Sequence, residues 1–326
     1  MIESIEWRGL LKKLKGRLFS SLVNEARKQR LCTGRVHAEL LKGKRKIECL
    51  REAEFQVFSQ WGEDGIIEWL VGRLEGIPEV FIEFGVEDYT EANTRFLLEN
   101  RNWKGLILDG DIGNIEAVQR DEIYWRHELE AASLFVTAEN IEDEICSKLG
   151  KAADVGILSI DIDGNDYWIW DKIRSVRPWV VVCEYNSVFG DKKCISTPYS
   201  PEFSRSVYHY SNLAFGASIK ALERLGAEKG YKLLGTNSAG NNAFFAREDV
   251  ASQLQIDEIR IYPSRFRESR NHKGELNMKS GVERVKEIEG VDVVELLDGG
   301  GFETRKLGDL GDLYSDQWIK GRPITR

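Results

Sequence analysis

Two short apolar runs that end in acidic residues constrain the fold more than any other feature of this sequence. Val80–Phe84 is rich in β-branched and aromatic residues and is followed by Gly85, and a second run, 106–108, ends in Asp109. Such runs are typical of buried strands, and a glycine after the first suits a sharp turn that lets the backbone approach a ligand. This order predicts an α/β unit of the nucleotide-binding type, with Asp109 placed to bind ribose hydroxyls. An α/β unit without a ligand is the alternative, because fold does not fix function.

The rest of the chain continues this alternation. Further strands are predicted at 133–137, 154–160 and 179–183, and a final antiparallel pair at 231–234 and 243–246. Strands that alternate with helices predict a parallel sheet with helices on both faces. Ligands bind at the carboxyl ends of the strands of such a sheet. The acids that follow the predicted strands should therefore line one crevice; they are Glu83, Glu87, Asp88, Asp109, Asp111, Glu139, Asp161, Asp163 and Glu184.

Charge and cysteine content narrow the class of protein. The chain of 326 residues has a net charge of −8, although residues 1–50 hold 13 basic and only 5 acidic residues. A main body this acidic disfavours nucleic acid as a partner. The 5 cysteines are scattered without metal-binding spacing, which predicts reduced thiols and a cytoplasmic location. We see no signal peptide and no apolar run long enough to span a bilayer.

Three regions are predicted from these patterns. Residues 1–50 form a basic helical arm, 51–250 the core, and 251–326 a loop-rich extension that could cover the acceptor site. Apolar residues recur at helical spacing in the arm, at Trp7, Leu10, Leu11, Leu14, Leu18 and Leu22. The arm could make a peripheral membrane contact through residues 1–30, or pack on its own core or on a second subunit of a homo-oligomer, and we favour packing.

Four motifs in order carry a resemblance to a known family. SQWGEDG (59–65), FIEFGVED (81–88), SIDIDGNDYW (159–168) and NSAGNNAFF (237–245) together resemble the FkbM-type branch of S-adenosylmethionine-dependent methyltransferases. That branch includes relatives among sugar and cell-surface glycan genes. The resemblance implies a Rossmann-like, seven-stranded methyltransferase sheet that ends in an antiparallel hairpin. It also implies methylation of an oxygen on a sugar or glycan precursor.

The resemblance also implies roles for particular residues. Glu83 and Gly85 would hold the methionine part of the donor and Asp109 its ribose, while Glu139 or Asn140 would meet adenine. The polar residues at the start of the helix after residue 62 are either caps or further donor contacts; they are Gln60, Glu63 and Asp64.

Two ways of removing the proton of an acceptor hydroxyl are open. Asp161 or Asp163 with Glu184 and Asn186 resembles the Mg²⁺ set of catechol-type methyltransferases, and oxygen ligands suit that ion. Alternatively, Asp163 or His209 acts as a general base.

Two other classes of function compete with methyl transfer. The DxD patterns at 109–111 and 161–163 also occur in nucleotide-sugar glycosyltransferases, which use them to hold a metal and a diphosphate. A protein of the same fold that binds a ligand without catalysis is the remaining alternative.

Three arginines in the extension suggest an anionic acceptor. Arg265, Arg267 and Arg270 lie in one short segment of an otherwise acidic body. Arginine binds carboxylate and phosphate through two parallel hydrogen bonds. They could bind an anionic acceptor, such as a nucleotide-linked or acidic sugar, or pair with surface acids such as Glu258 and Glu268.

Overall fold

The computed structural model describes the backbone of residues 2–326 and the side chains of residues 22–326. The strands are β1 (Lys46–Ile47), β2 (Val80–Phe84), β3 (Lys104–Asp109), β4 (Leu129–Ser133), β5 (Ile157–Ile160), β6 (Val180–Glu184), β7 (Ile195–Ser196), β8 (Tyr231–Thr236), β9 (Asn242–Arg247), β10 (Gln255–Ile256), β11 (Arg260–Ile261), β12 (Asp292–Leu296), β13 (Phe302–Lys306) and β14 (Ile324–Thr325). The helices are α1 (Ile2–Lys42), α2 (Glu63–Arg73), α3 (Arg95–Arg101), α4 (Ile112–Arg120), α5 (Glu122–Arg126), α6 (Ile141–Leu149), α7 (Asp166–Lys172), α8 (Arg205–Tyr208), α9 (Ile219–Glu228), α10 (Glu248–Ala251) and α11 (Asp316–Ile319).

A seven-stranded sheet in the order β4-β3-β2-β5-β6-β9-β8 forms the centre of the molecule. Strands β2 to β6 are parallel, and β9 runs antiparallel to both of its neighbours. Successive residues of β2 point to opposite faces, so Phe81 and Ile82 are both buried but belong to different apolar cores. The predicted Rossmann-like α/β fold with a terminal antiparallel hairpin is confirmed.

The chain changes direction across the sheet between β2 and β5. From β2 it proceeds through β3 to β4 at one edge and then returns to place β5 on the other side of β2. Helices that begin after neighbouring strands on opposite sides of such a point diverge, and the gap between them is where open α/β sheets bind ligands.

Gly85 permits the two central strands to end side by side. Its φ of +71° is unfavourable for other residues, and a Cβ at this position would lie 1.6 Å from the carbonyl oxygen of Asp161. The sequence suggested that this glycine makes room for a ligand. The group that leaves no space for a side chain at Gly85 is instead the backbone that follows β5.

The third strand of the parallel part lies earlier than predicted. It covers Leu129–Ser133 rather than 133–137, and Leu129 and Ala131 face the core. Leu134, Phe135 and Val136 looked like a strand because they are apolar. They follow the strand end, and Phe135 is 54% exposed.

The second half of the N-terminal arm packs on its own core. Ala38 and Leu41 of α1 are buried, and Arg27 forms ion pairs with Glu99 at 2.7 Å and Asp121 at 3.3 Å. The predicted apolar residues Trp7, Leu10, Leu11, Leu14 and Leu18 lie outside the residues whose side chains are described. Membrane contact and homo-oligomer formation therefore stay predictions. Across the described helices, none has the length and apolar character needed to cross a membrane.

The C-terminal extension is more regular than its glycine-rich sequence suggested. Strand β12 pairs with β13 and with β7 of the core region, and β10 pairs with β1. The segment Leu307–Leu310 belongs to the extension that was predicted to be rich in loops. It forms a 3₁₀ turn whose two leucines are buried with Leu313 in a third apolar core.

Replacing Gly85 by alanine tests the proximity of the strand ends. Gly76 is the matched control, because its φ is +78° and nothing lies within 4 Å of an added Cβ. Gly76→Ala should cost about 1–2 kcal/mol of unfolding free energy from backbone conformation alone. Gly85→Ala should cost about 1–3 kcal/mol more, because it also forces apart two packed backbones. Urea unfolding measures both, and equal losses would show that the strand ends are not in contact.

Candidate active site

A cavity of about 770 Å³ lies at the carboxyl ends of the parallel strands, a volume typical of a site for a cofactor-sized ligand. Glu83 and Gly85 enter it from β2, Asp109 from β3, and Glu184 from β6. Leu134–Val136 follow β4, and 161–163 follow β5. The cavity thus spans the point at which the chain changes direction.

The cavity is strongly acidic. Eight carboxyl groups line it, against the single guanidinium of Arg205; the acids are Glu83, Glu87, Glu91, Asp109, Asp111, Asp161, Asp163 and Glu184. Burial, with the nearby charges of Glu87 and Glu63, raises the pKa of Glu91. Carboxylates gathered in a concave site focus a negative potential, so this cavity favours a ligand with positive charge.

Asp109 is positioned to bind such a ligand and is held firmly. Oδ1 accepts hydrogen bonds from Asp111 N at 2.9 Å and Asn114 Nδ2 at 3.0 Å, and Oδ2 accepts from Glu87 N at 2.8 Å. A carboxylate offers about four acceptor positions, so one remains on Oδ2. The side chain is thus fixed by its own chain and still able to accept from a ligand hydroxyl.

Glu83 shapes the cavity rather than offering a free carboxylate. It is 3% exposed, and its oxygens accept from the backbone of Asn93 at 2.8 Å and of Thr94 at 3.1 Å. The hydroxyls of Thr94 and Ser159 also donate to it. These bonds place the backbone of 92–93 in the cavity wall, while Gly85 lines the cavity directly.

Three acids form a tight cluster, and two of them, Asp161 and Glu184, line the cavity. Asp161, Asp166 and Glu184 each offer an oxygen within 4.8 Å of the others. Burial and the mutual repulsion of these carboxylates raise the pKa of Asp161 and of Glu184, and burial raises the pKa of Asp166 to about 6. Glu184 is 8% exposed, and its Oε2 has no partner among the described residues. The cluster is therefore arranged to retain a proton or to attract a cation.

Asn186 of the predicted metal set is bonded to its own chain. Its Nδ2 donates to the carbonyls of Leu213 at 2.7 Å and Phe215 at 2.9 Å, and its Oδ1 accepts from Val188 N at 2.9 Å. The structure also brings Asp166, which the sequence did not suggest, beside Asp161 and Glu184. Mg²⁺ on Asp161 or Asp163 with Glu184 and Asn186 stays a prediction that exhaustive chelation would test.

Glu63 and Asp64, which were predicted to contact the methyl donor, face into the protein. Glu63 accepts from Asn237 at 2.6 Å and Asn242 at 2.9 Å. Asp64 accepts from three successive backbone amides, at 57–59, each within 2.8 Å. Glu63 thus joins the motif at 59–65 to the hairpin motif at 237–245, while Asp64 fixes the loop before α2. Of the three predicted residues, Gln60 alone lines the cavity.

Glu139 and Asn140 do not reach the cavity. Glu139 accepts a hydrogen bond from the Tyr199 hydroxyl, and Asn140 Oδ1 accepts from Thr137 N at 2.8 Å. The assignment to adenine failed because the strand ends at Ser133. Phe135 therefore takes the wall position, opposite the exposed Ile112 at the start of α4.

The two candidate bases of the sequence are also placed differently. His209 is absent from the cavity lining and lies 2.7 Å from the Ser211 hydroxyl through Nδ1, and burial lowers its pKa. Asp163 lines the cavity but pairs with Arg205 at 2.8 Å and is 63% exposed. Neither has the buried, unpartnered oxygen that Glu184 has.

The three predicted acceptor arginines are separated. Arg265 donates to the Gly321 carbonyl at 2.5 Å and Arg270 to the Gly274 carbonyl at 2.8 Å. Arg267 lines a second cavity that adjoins the first. Sequence reasoning missed Arg205, whose guanidinium lies 3.7 Å from the Phe215 ring centre and which lines both cavities. No motif distinguishes it in the sequence.

No protein-family model matches the sequence, and neither does any curated protein. Several solved structures are similar to it at low identity. An S-adenosylmethionine-dependent methyltransferase from Clostridium acetobutylicum ATCC 824 is 10% identical, with a TM-score of 0.37, over 56% of this chain and 89% of that one. An O-methyltransferase from Bacillus cereus in complex with SAH is 14% identical, with a TM-score of 0.38, over 67% and 89%.

The pyocyanin biosynthetic protein PhzM is 14% identical, with a TM-score of 0.32, over 53% of this chain and 52% of its own length. The present chain thus spans about half of that protein. Similarities at this level carry no argument about the function of the present chain.

The raised pKa of Glu184 predicts a pH-dependent difference in stability. A carboxyl whose pKa is raised by folding contributes stability that is lost as pH rises through the folded value. Glu184→Gln should therefore gain stability relative to wild type as pH rises above about 5, by about 1.4 kcal/mol for each pH unit until the raised pKa of Glu184 is passed. The measurement is urea unfolding in EDTA, which removes any bound cation.

Asp312→Asn is the control for this experiment. A hydrogen bond from Lys192 lowers the pKa of Asp312, so it is ionised in both folded and unfolded chains above about pH 5. Its difference from wild type should not change over the same range. A pH-independent difference for Glu184→Gln would contradict the acid cluster.

Proposed function

We propose that this chain is an S-adenosylmethionine-dependent methyltransferase that methylates a hydroxyl group of a sugar or cell-surface glycan precursor. The observation that carries the proposal is the acidic cavity at the point where the sheet order reverses, with eight carboxyl groups and one guanidinium. S-adenosylmethionine bears a sulfonium and an ammonium against one carboxylate, so its net charge is positive. A cavity of this charge attracts such a donor.

The residues of the cavity fit the separate parts of this donor. The free position on Asp109 Oδ2 would accept from the ribose, and the exposed side chains of Ile112 and Phe135 provide an apolar wall for adenine. Asn165 and Asn242 also line the cavity, and each has a buried Oδ1 without a partner among the described residues. Such acceptors suit the donor's ammonium group, because a buried unpaired oxygen is costly.

The reaction asks the protein for alignment and for a place to put one proton. When bound, S-adenosylmethionine supplies a methyl carbon that bonds to the acceptor oxygen as its bond to sulfur breaks, with the electron pair remaining on sulfur. Holding the acceptor oxygen in line with that methyl group accounts for much of the rate enhancement. The hydroxyl proton must pass to a nearby base.

Asp161 and Glu184 are the groups placed to take that proton. Both line the cavity, and burial, together with the nearby charges of Asp163 and Asp166, raises the pKa of both. A raised pKa brings a carboxylate closer to the range in which it can act as a base near neutral pH. This proposal replaces His209 and Asp163 as candidate bases.

The same charge disfavours a nucleotide-sugar glycosyltransferase, whose diphosphate would enter a field of like sign. Neither DxD pattern offers two free carboxylates. In the first, Asp111 caps α4 by accepting from Gly113 N at 2.7 Å. In the second, Asp163 is already paired with Arg205.

Replacing Asp109 by alanine should weaken donor binding. A hydrogen bond to a charged group contributes about 1.5–3 kcal/mol, so affinity for S-adenosylmethionine should fall about tenfold or more. Titration calorimetry provides the measurement, and Asp109→Asn, which keeps the side-chain volume, separates lost charge from a disturbed loop.

Glu139→Ala is the matched control, since Glu139 contacts Tyr199 outside the cavity. It should leave donor affinity unchanged. Undiminished affinity in a folded Asp109→Ala protein would remove Asp109 from the proposed site.

A further inference from the structure

A second cavity, of about 350 Å³, lies beside the acidic one. The two share Gln60, Glu184 and Arg205 in their walls, so a molecule in the second cavity can reach the acid cluster. Its outer wall comes from the C-terminal extension, through Ser264, residues 266–268 and Arg284.

An aromatic stack forms part of this wall. The rings of Trp61 and Phe266 lie parallel, with centroids 5.1 Å apart and an angle of 14° between their planes. Trp61 nevertheless remains 42% exposed. The pair joins the loop before α2 to the extension and presents a flat apolar face, which suits a ring with C–H groups on one side.

Three arginines line the second cavity, and two of them form ion pairs. Arg284 pairs with Glu268 at 2.8 Å, and Arg205 pairs with Asp163 at 2.8 Å. Arg267 is exposed and has no ion pair or hydrogen bond within the described part of the chain. An exposed guanidinium in a cavity wall is suited to a carboxylate or a phosphate.

Polar side chains complete the wall and narrow the class of ring. Gln60, Asn241, Ser187 and Ser264 all line the cavity, and each can exchange hydrogen bonds with hydroxyl groups. Ser187, Ser264 and Asn241 each use one position on the chain itself and keep capacity for further hydrogen bonds. A flat aromatic face beside several such groups suits a polyhydroxylated ring better than an aromatic acid, which offers them fewer hydroxyl partners.

We propose that the second cavity is the acceptor site and that its ligand is a sugar carrying a carboxylate or a phosphate. The sugar ring stacks on the Trp61–Phe266 pair, its anionic group pairs with Arg267, and one hydroxyl reaches Glu184 between the two cavities. This assignment rests on the proposed methyl transfer. It also gives Arg267 a role that Arg265 and Arg270, which lie outside this cavity, do not have.

Binding of four probes tests the proposal. Glucuronate, glucose 6-phosphate, glucose and 4-hydroxybenzoate are titrated calorimetrically into the full chain, with and without S-adenosylhomocysteine. At least one anionic sugar should bind at least tenfold more tightly than glucose and 4-hydroxybenzoate. The better of the two anionic sugars shows whether the anion is a carboxylate or a phosphate.

Variants then assign the contacts. Arg267→Ala should weaken binding of the anionic sugar at least tenfold and leave S-adenosylhomocysteine binding unchanged. Arg265→Ala, from the same segment, should change neither. Trp61→Ala should weaken binding of the anionic sugar. Trp61→Phe should retain most of the affinity for this sugar, because a flat ring remains.

Several results would overturn this assignment. They are equal binding of glucose and the anionic sugars, preference for 4-hydroxybenzoate, failure of every probe to bind, or equal losses in Arg267→Ala and Arg265→Ala. If the anionic sugars bind as expected and S-adenosylhomocysteine does not bind at all, the sugar site stands and the proposed methyl transfer fails.

Discussion

The contact between the ends of β2 and β5 determines the geometry of the whole site. A Cβ on Gly85 would lie 1.6 Å from the Asp161 carbonyl oxygen, so these two strand ends are as close as backbones allow. The segments that leave them must then diverge, since one leads toward β3 and the other toward α7. That divergence opens the cavity at the strand ends and places Glu83, Asp109, Asp161 and Glu184 around it.

Gathering so many carboxyl groups in one cavity opposes folding unless something offsets their repulsion. Part of the repulsion is removed by backbone amides, four of which bond to Asp109 or to Asp166 at 3.0 Å or less. Part is removed by raised pKa values at Asp161 and Glu184. A cationic ligand would relieve the rest, because buried charges of one sign stabilise the opposite charge. The gathering of carboxyl groups thus explains both the raised pKa values of Asp161 and Glu184 and the positive charge expected of the donor.

Sequence reasoning predicted the fold well and the site unevenly, for identifiable physical reasons. Strands β2, β5 and β6 are apolar on both faces, so their ends, and the acids after them, could be placed within a few residues. The strand before Phe135 was misplaced because apolar residues of a cavity wall resemble those of a strand, and Glu139 and Asn140 were misassigned with it. Glu63 and Asp64 looked available to a ligand because sequence cannot show that the groups they bond to come from the chain itself. Arg205 and the second cavity depend on contacts between distant segments, which no local pattern encodes.

The central claim is that the acidic cavity binds a positively charged methyl donor. Titration calorimetry of the intact chain with S-adenosylmethionine, and in parallel with UDP-glucose in the presence of Mn²⁺, tests it most directly. We expect one S-adenosylmethionine to bind per chain. Its binding should weaken as the salt concentration rises, because the attraction is partly electrostatic, and UDP-glucose should not bind detectably. Tight binding of UDP-glucose without any binding of S-adenosylmethionine would contradict it.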